Sequence, residues 1–164
     1  MEILRGGGVR AVADIRSVPR SRTNPQYNFD VLGAELEPRQ IGYGRIPDLG
    51  GLRGRSREVP PEINGYWENR SFHNYADYAL SDAFGEALDQ LVAGAAEVPT
   101  AIMCAEAVWW RCHRRIVADY LLLRGIPVFH LMGGGRIEPA TMTAAAREKE
   151  GRLNYPALAA PPQA

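Results

Sequence analysis

Lysine is almost missing from this chain: it occurs once, at Lys149, among 19 basic residues balanced by 19 acidic ones. A formal net charge of zero excludes a uniformly basic protein that coats nucleic acid through bulk electrostatics. Cysteine is scarce too, with only Cys104 and Cys112. Two cysteines in a chain of 164 residues cannot build a disulfide scaffold, and their spacing is not Cys-x-x-Cys. A reducing, cytoplasmic setting is the expectation. Long apolar runs are absent, Tyr120–Leu123 being far too short to span a bilayer, so no membrane association is expected. The start, Met1–Arg10, has no apolar signal-peptide core. In that setting the Asn69-Arg70-Ser71 triplet reads as a chance match to a glycosylation acceptor.

What is present is ordinary for one folded domain: 46% apolar and 23% charged residues. One α/β domain is expected over residues 1–152, followed by an Ala/Pro-rich, disordered tail over 153–164. Val9–Ile15 is short, apolar and β-rich, and reads as a first strand after the glycine run Gly6–Gly8. A polar loop, Arg16–Asn28, leads to a helix over Phe29–Arg39 with Asn28 as its N-cap. Ile41–Ile46 fits a short strand. Asn74–Ala95 carries a helical stripe of Leu80, Phe84, Leu88, Leu91 and Val92, with a break near Ser81. Pro99–Cys104 reads as a strand and Cys112–Arg124 as a helix closed by Gly125. Pro127–Met132 reads as a further strand, and Pro139 as the opening of a last helix, Ala140–Glu150.

Strands alternating with helices predict a compact α/β fold: a small, mostly parallel sheet flanked by helices. In such sheets ligands bind outside the carboxyl ends of the strands. Two loops emerge there, the one after Ile15 and the one after Cys104. The first carries Asp14, Arg16, Arg20, Ser21, Arg22 and Tyr27; the second carries Glu106, Trp109, Trp110, Arg111, His113 and Arg114. Forked guanidinium groups and the free amides of a helix N-terminus favour an anion such as phosphate. Charge is also segregated: Arg16–Arg57 is basic, whereas His73–Glu97 holds five acids and no Lys or Arg.

The cysteines support several readings. Cys104 at a strand end suits a small buried hydrophobe, but neighbouring arginines and a helix N-terminus would activate it as a nucleophile. A phosphatase-type Cys-x5-Arg loop is not matched, because Trp110 stands where Arg is needed. Cys104-Ala-Glu106 looks like half of a deaminase zinc site, and the required Pro-Cys-x-x-Cys half is absent. Cys104, Cys112 and His113 make an incomplete ligand set, so neither metal nor cofactor is expected. Glu106, just beyond a strand and beside His113, suits water activation, or else an ion pair with Arg111 or Arg114.

The run Val9–Arg22, containing Asp14-Ile-Arg16-Ser-Val-Pro19-Arg20-Ser21-Arg22, is followed by Pro25-Gln-Tyr27-Asn28, Gly42-Tyr43 and Leu49-Gly50-Gly51. Met103-Cys104-Ala-Glu106 and Cys112-His113-Arg114 come later. In this order these segments resemble the domain of unknown function 488 family, over about Met1 to Met132. The resemblance implies a compact α/β fold and, through relatives that act as DNA glycosylases on modified bases, a base-processing activity. Relatives usually begin with a Thr-Ile-Gly-His-Ser strand. Here Met1–Gly8 reads as the end of the helix that follows it, so that strand is expected to be missing. An exposed sheet edge, and homodimerisation through it, are expected to result.

Three functions follow as expectations. One is an N-glycosylase-like hydrolase acting on a modified base in nucleic acid. Glu106, Asp14 and His113 would be catalytic there, and Arg16, Arg20, Ser21, Tyr27, Tyr43, Trp110 and Arg114 would hold substrate. Another is a non-catalytic binder of a nucleotide or small phosphorylated ligand. The third is a cysteine-dependent enzyme.

Overall fold

The computed structural model describes residues 1–158. Its centre is a three-stranded parallel sheet of β1 (Ala11–Asp14), β2 (Gly42–Arg45) and β3 (Thr100–Met103), in the order β2-β1-β3. Ala11 stands opposite Gly42 on one side and Thr100 on the other, and Asp14 opposite Arg45 and Met103. All three carboxyl ends therefore open on the same edge.

Helices cover both faces, because alternate residues of β1 point to opposite sides. Val12 joins Val9, Leu32, Leu36 and Ile41 in a small cluster beneath α2 (Phe29–Leu36). A short leading helix, α1 (Glu2–Gly6), adds Leu4 to it. Ala13 and Ile15 join the main core on the other face, built from α3 (Arg70–Tyr78), α4 (Asp82–Glu97) and α5 (Arg114–Leu123). Of the apolar stripe read from the sequence, Phe84, Leu88 and Leu91 form the buried face of α4, Val92 is partly buried, and Leu80 precedes the helix. Ile116, Val117, Tyr120 and Leu121 do the same for α5.

The break near Ser81 is real: Ser81 Oγ accepts from the Phe84 backbone N–H at 3.3 Å and caps α4. The helix before it starts earlier than expected, at Arg70. Asn69 is its N-cap, its side chain accepting from the amides of Ser71 and Phe72. Asn28 is the N-cap of α2 as expected, but its side chain accepts from the Ser21 amide, not from the first turn of the helix, and ties the first loop down.

The C-terminal third departs from expectation. Residues after Pro127 do not extend the parallel sheet. β4 (Phe129–Leu131) pairs antiparallel with β5 (Ile137–Pro139). Gly134 and Gly135 supply the left-handed φ values of 70° and 75° that fold the chain back on itself. The helix expected over Ala140–Glu150 does not form. Glu150 and Gly151, at φ 53° and 77°, make a tight turn between β6 (Arg147–Lys149) and β7 (Arg152–Asn154). Two consecutive positive φ values match the twist of a two-residue hairpin. Leu153 and Tyr155 are fully buried, so the ordered domain runs past its expected end. Of the expected disordered tail, residues 159–164 lie outside the described residues. Among the described residues no helix is long and apolar enough to cross a membrane.

Candidate functional site

A cavity of about 280 Å³ lies at the carboxyl edge of the sheet. Its lining combines Arg16–Val18 after β1, Gly51 and Leu52 after β2, Cys104–Glu106 after β3, and Arg111–His113 before α5. Ser71 and Phe72 of α3 close one side. The two loops singled out in the sequence do converge here.

The first loop is held by a buried ion pair. Asp14 is fully buried and Arg16 is 6% exposed. Residues two apart on an extended strand share a face, so Arg16 turns back onto the carboxylate it follows. Asp14 Oδ1 accepts from the Arg16 amide (3.0 Å) and Nε (2.8 Å). Oδ2 accepts from Arg16 Nη2 (2.6 Å) and from Tyr43 Oη (2.5 Å). Nη2 also donates to the Tyr27 carbonyl at 2.8 Å. Burial pushes the Asp14 carboxyl up, but the Arg16 and Tyr43 hydrogen bonds outweigh it and hold the group below its ordinary range. Burial and the facing carboxylate push the Tyr43 phenol up to about 12. All four lone-pair directions of Asp14 are filled from within the protein.

The second loop brings the two cysteines together. Cys104 leaves β3 and Cys112 immediately precedes α5, and their Sγ atoms are 2.7 Å apart as free thiols. Cys112 Sγ also accepts from the Arg114 amide (3.4 Å) and Nε (3.3 Å), with His113 Nδ1 at 3.6 Å. The hydrogen bond with Cys104 is the largest influence on Cys112. With His113 and the Arg114 amide it overcomes burial and brings that thiol down to about 4. Cys104 moves the opposite way, because the same contact with Cys112 and its own burial both favour its protonated form. Within the pair, Cys112 is thus the sulfur pushed toward the thiolate and Cys104 the one pushed toward the thiol.

His113 is framed by the Leu49-Gly50-Gly51 segment. A Cβ on Gly51 would lie 2.4 Å from His113 Nδ1, so only glycine admits the imidazole there. Gly50 is equally constrained, by Ser17 Oγ and the Pro47 carbonyl. The imidazole packs 4.8 Å from the Tyr75 ring, whose hydroxyl donates to the Leu49 carbonyl. His113 Nε2 is buried with no hydrogen-bond partner.

Arg16, Glu106 and His113 therefore line the cavity, and Arg114 supports it through Cys112 Sγ and the Glu106 carbonyl, to which its Nη2 donates at 2.9 Å. Asp14 and Tyr43 sit behind Arg16. The Glu106 carboxylate is exposed and joins none of the ion pairs among the described residues; Arg114 bonds the backbone of that residue instead. Arg20 pairs with Asp30 at 3.1 Å and stacks over Phe29, facing α2. Ser21 is engaged in its own loop with Asn24 and Asn28. Tyr27 and Trp110 are about half exposed and lie outside the cavity lining. Trp109 stacks flat on His130 at 4.0 Å, and Trp110 meets its edge. Cys112 is the residue that sequence reasoning left out of the site. Its signal was position: a cysteine directly before a helix, on the loop that leaves the strand ending in the other cysteine.

The family model described as a domain of unknown function, DUF488, matches residues 1–121. No curated protein and no solved structure matches the chain.

Proposed function

The chain belongs to the DUF488 family, and on that premise we propose that it is a cysteine-dependent enzyme whose reactive centre is the Cys104–Cys112 pair. The observation that carries this reading is the environment of Cys112 Sγ: a buried sulfur at a helix N-terminus that accepts from Arg114 twice and stands 2.7 Å from a second thiol sulfur. A thiolate, not a thiol, is the nucleophile in sulfur chemistry, and positive neighbours with helix amides are what lower its pKa. His113, whose Nδ1 lies 3.6 Å from Cys112 Sγ, suits proton exchange with the pair. Arg111 supplies positive charge at the cavity, whereas Val18, Leu52 and Phe72 supply apolar wall.

The test is an ultraviolet titration of the thiolate absorbance in the reduced protein. The reading expects one thiolate already present at pH 6 and missing in Cys112→Ser. Absorbance that rises only above about pH 8, as for an ordinary cysteine, refutes it.

The acid-pair hydrolase reading draws on Glu106, whose exposed carboxylate stands at the cavity with no ion-pair partner among the described residues. Its second acid, Asp14, is buried and saturated with donors, which weakens support for a two-carboxylate mechanism. Incubation with duplexes carrying modified cytosines tests it. Base release that Glu106→Gln abolishes supports the reading, and absence of release removes it.

A further inference from the structure

Resting on the thiol reading, we infer that Cys104 and Cys112 form a two-electron dithiol centre that reduces a small, carboxylate-bearing disulfide. The sulfurs already stand 2.7 Å apart, so an approach of about 0.65 Å reaches the bond length of about 2.05 Å. They sit on separate supports, the end of β3 and the start of α5, joined by a short loop that carries a single turn of 3-10 helix, Trp109–Arg111. That loop, not the sheet or the helix, has to absorb the closure.

Access is asymmetric. Cys104 is half-buried and Cys112 is 1% exposed, although both border the cavity. An incoming disulfide therefore meets Cys104 first. Cys112, however, is the sulfur pushed toward the thiolate. This division sets the order of events. As Cys104 Sγ attacks one sulfur of R–S–S–R, its proton crosses the 2.7 Å contact to Cys112 S⁻. The substrate S–S bond breaks and Cys104–S–S–R forms. The departing RS⁻ takes the proton from Cys112 and leaves as RSH. Cys112 S⁻ then attacks the Cys104 sulfur, closes the Cys104–Cys112 disulfide, and expels the second RS⁻. The protein loses two electrons and one thiol proton; the substrate gains both and departs as RSH and RS⁻. Exchange in the reverse sense with a dithiol reductant restores the pair.

The cavity defines the substrate class. Its volume of about 280 Å³ is that of a small organic group, one arm of a small disulfide. Arg16 is neutralised by Asp14, so Arg111, exposed at the cavity, is the guanidinium left to meet a carboxylate, and the exposed Glu106 carboxylate in the same lining suits an ammonium on the same substrate.

The experiment uses the reduced full chain with glutathione disulfide as the probe, read by intact mass and by release of free thiol. Wild type is expected to lose two hydrogens and release two equivalents of glutathione. Cys112→Ser is expected to trap glutathione on Cys104, and Cys104→Ser to carry no adduct. Circular dichroism confirms that each variant folds, and Cys→Ala versions replace any that do not. A wild type that keeps both thiols, or stops at the mixed disulfide, overturns the inference. If the Cys112 thiolate is present in the titration while this exchange fails, the inference falls and the broader thiol reading stands. If the thiolate is missing, both fall. Arg111→Ala is expected to slow exchange with glutathione disulfide about two- to fivefold relative to uncharged hydroxyethyl disulfide, the size of one exposed charge contact. An unchanged ratio refutes the carboxylate preference.

Discussion

Replacing Asp14 by Asn separates a structural carboxylate from a catalytic one. Each oxygen of Asp14 accepts two hydrogen bonds, so whichever position the amide NH₂ takes, it faces two donors. The substitution also leaves the Arg16 guanidinium, 6% exposed, without its counter-ion. Breaking a buried pair from one side costs about 3–5 kcal/mol, a large share of the roughly 5–15 kcal/mol that holds a domain folded. For a chain of this length that lowers the melting temperature by on the order of 10 °C. Urea unfolding followed by circular dichroism is the assay: the midpoint should fall with the slope unchanged. Arg16→Met should cost a similar amount, and the double variant much less than the two together, because neither charge is then stranded. The pH dependence carries a matching sign. The folded-state pKa of Asp14 is depressed, so its stabilisation is complete above the unfolded value of about 3.9 and is lost as pH falls through the lower folded value. Asp14→Asn should lack that acid limb. A variant within about 1 kcal/mol of wild type, or additive single effects, refutes the assignment of Asp14 as the anchor of the first loop.

The parts of the fold that were legible in the sequence are those where one periodicity ran long enough to decide. The α4 stripe and the strand–helix alternation from Val9 to Leu123 led directly to three parallel strands and a shared carboxyl edge. That edge is why Arg16, Glu106 and His113, far apart in the chain, were placed together correctly. Legibility ended where conformation at single residues governs. Glu150 has no sequence preference for positive φ, yet with Gly151 it makes the turn that converts an expected helix into a hairpin. Asp14 looked like a catalytic acid because its charge is visible in sequence and its burial is not. The Asp-x-Arg spacing on a strand was the available sign that Arg16 would fold back on it. Cys112 was overlooked because Cys-x7-Cys matches no common thiol motif. Only the fold brings the end of β3 against the start of α5.

Three further outcomes follow from the packing. Gly51→Ala places a methyl 2.4 Å from His113 Nδ1 and must push the ring away from Cys112; we expect a loss of about 1–3 kcal/mol and a Cys112 titration moved upward. Unchanged stability with an unchanged thiolate titration contradicts this. The outer edges of β2 and β3 carry no further strand among the described residues, and edge-to-edge pairing of two chains is the expected consequence. Light scattering should give a dimer mass, and a monomer at the highest attainable concentration refutes it. Last, Tyr155 is expected to be indispensable although it lies near the C-terminal end of the described chain. Its side chain is fully buried against Trp67, and its hydroxyl donates to Asp119 Oδ2 at 3.1 Å. Asp119 is 1% exposed, and burial pushes its carboxyl up. Without Tyr155 that oxygen loses its donor, and the Thr143 amide on Oδ1 is the other contact left. Tyr155→Ala should therefore cost about 3–5 kcal/mol from the cavity alone, and Tyr155→Phe about 1–2 kcal/mol from the stranded acceptor. Truncation after Asn154 should lower the melting temperature as Tyr155→Ala does. If that truncation melts at the wild-type temperature, Tyr155 is not part of the core that supports α5.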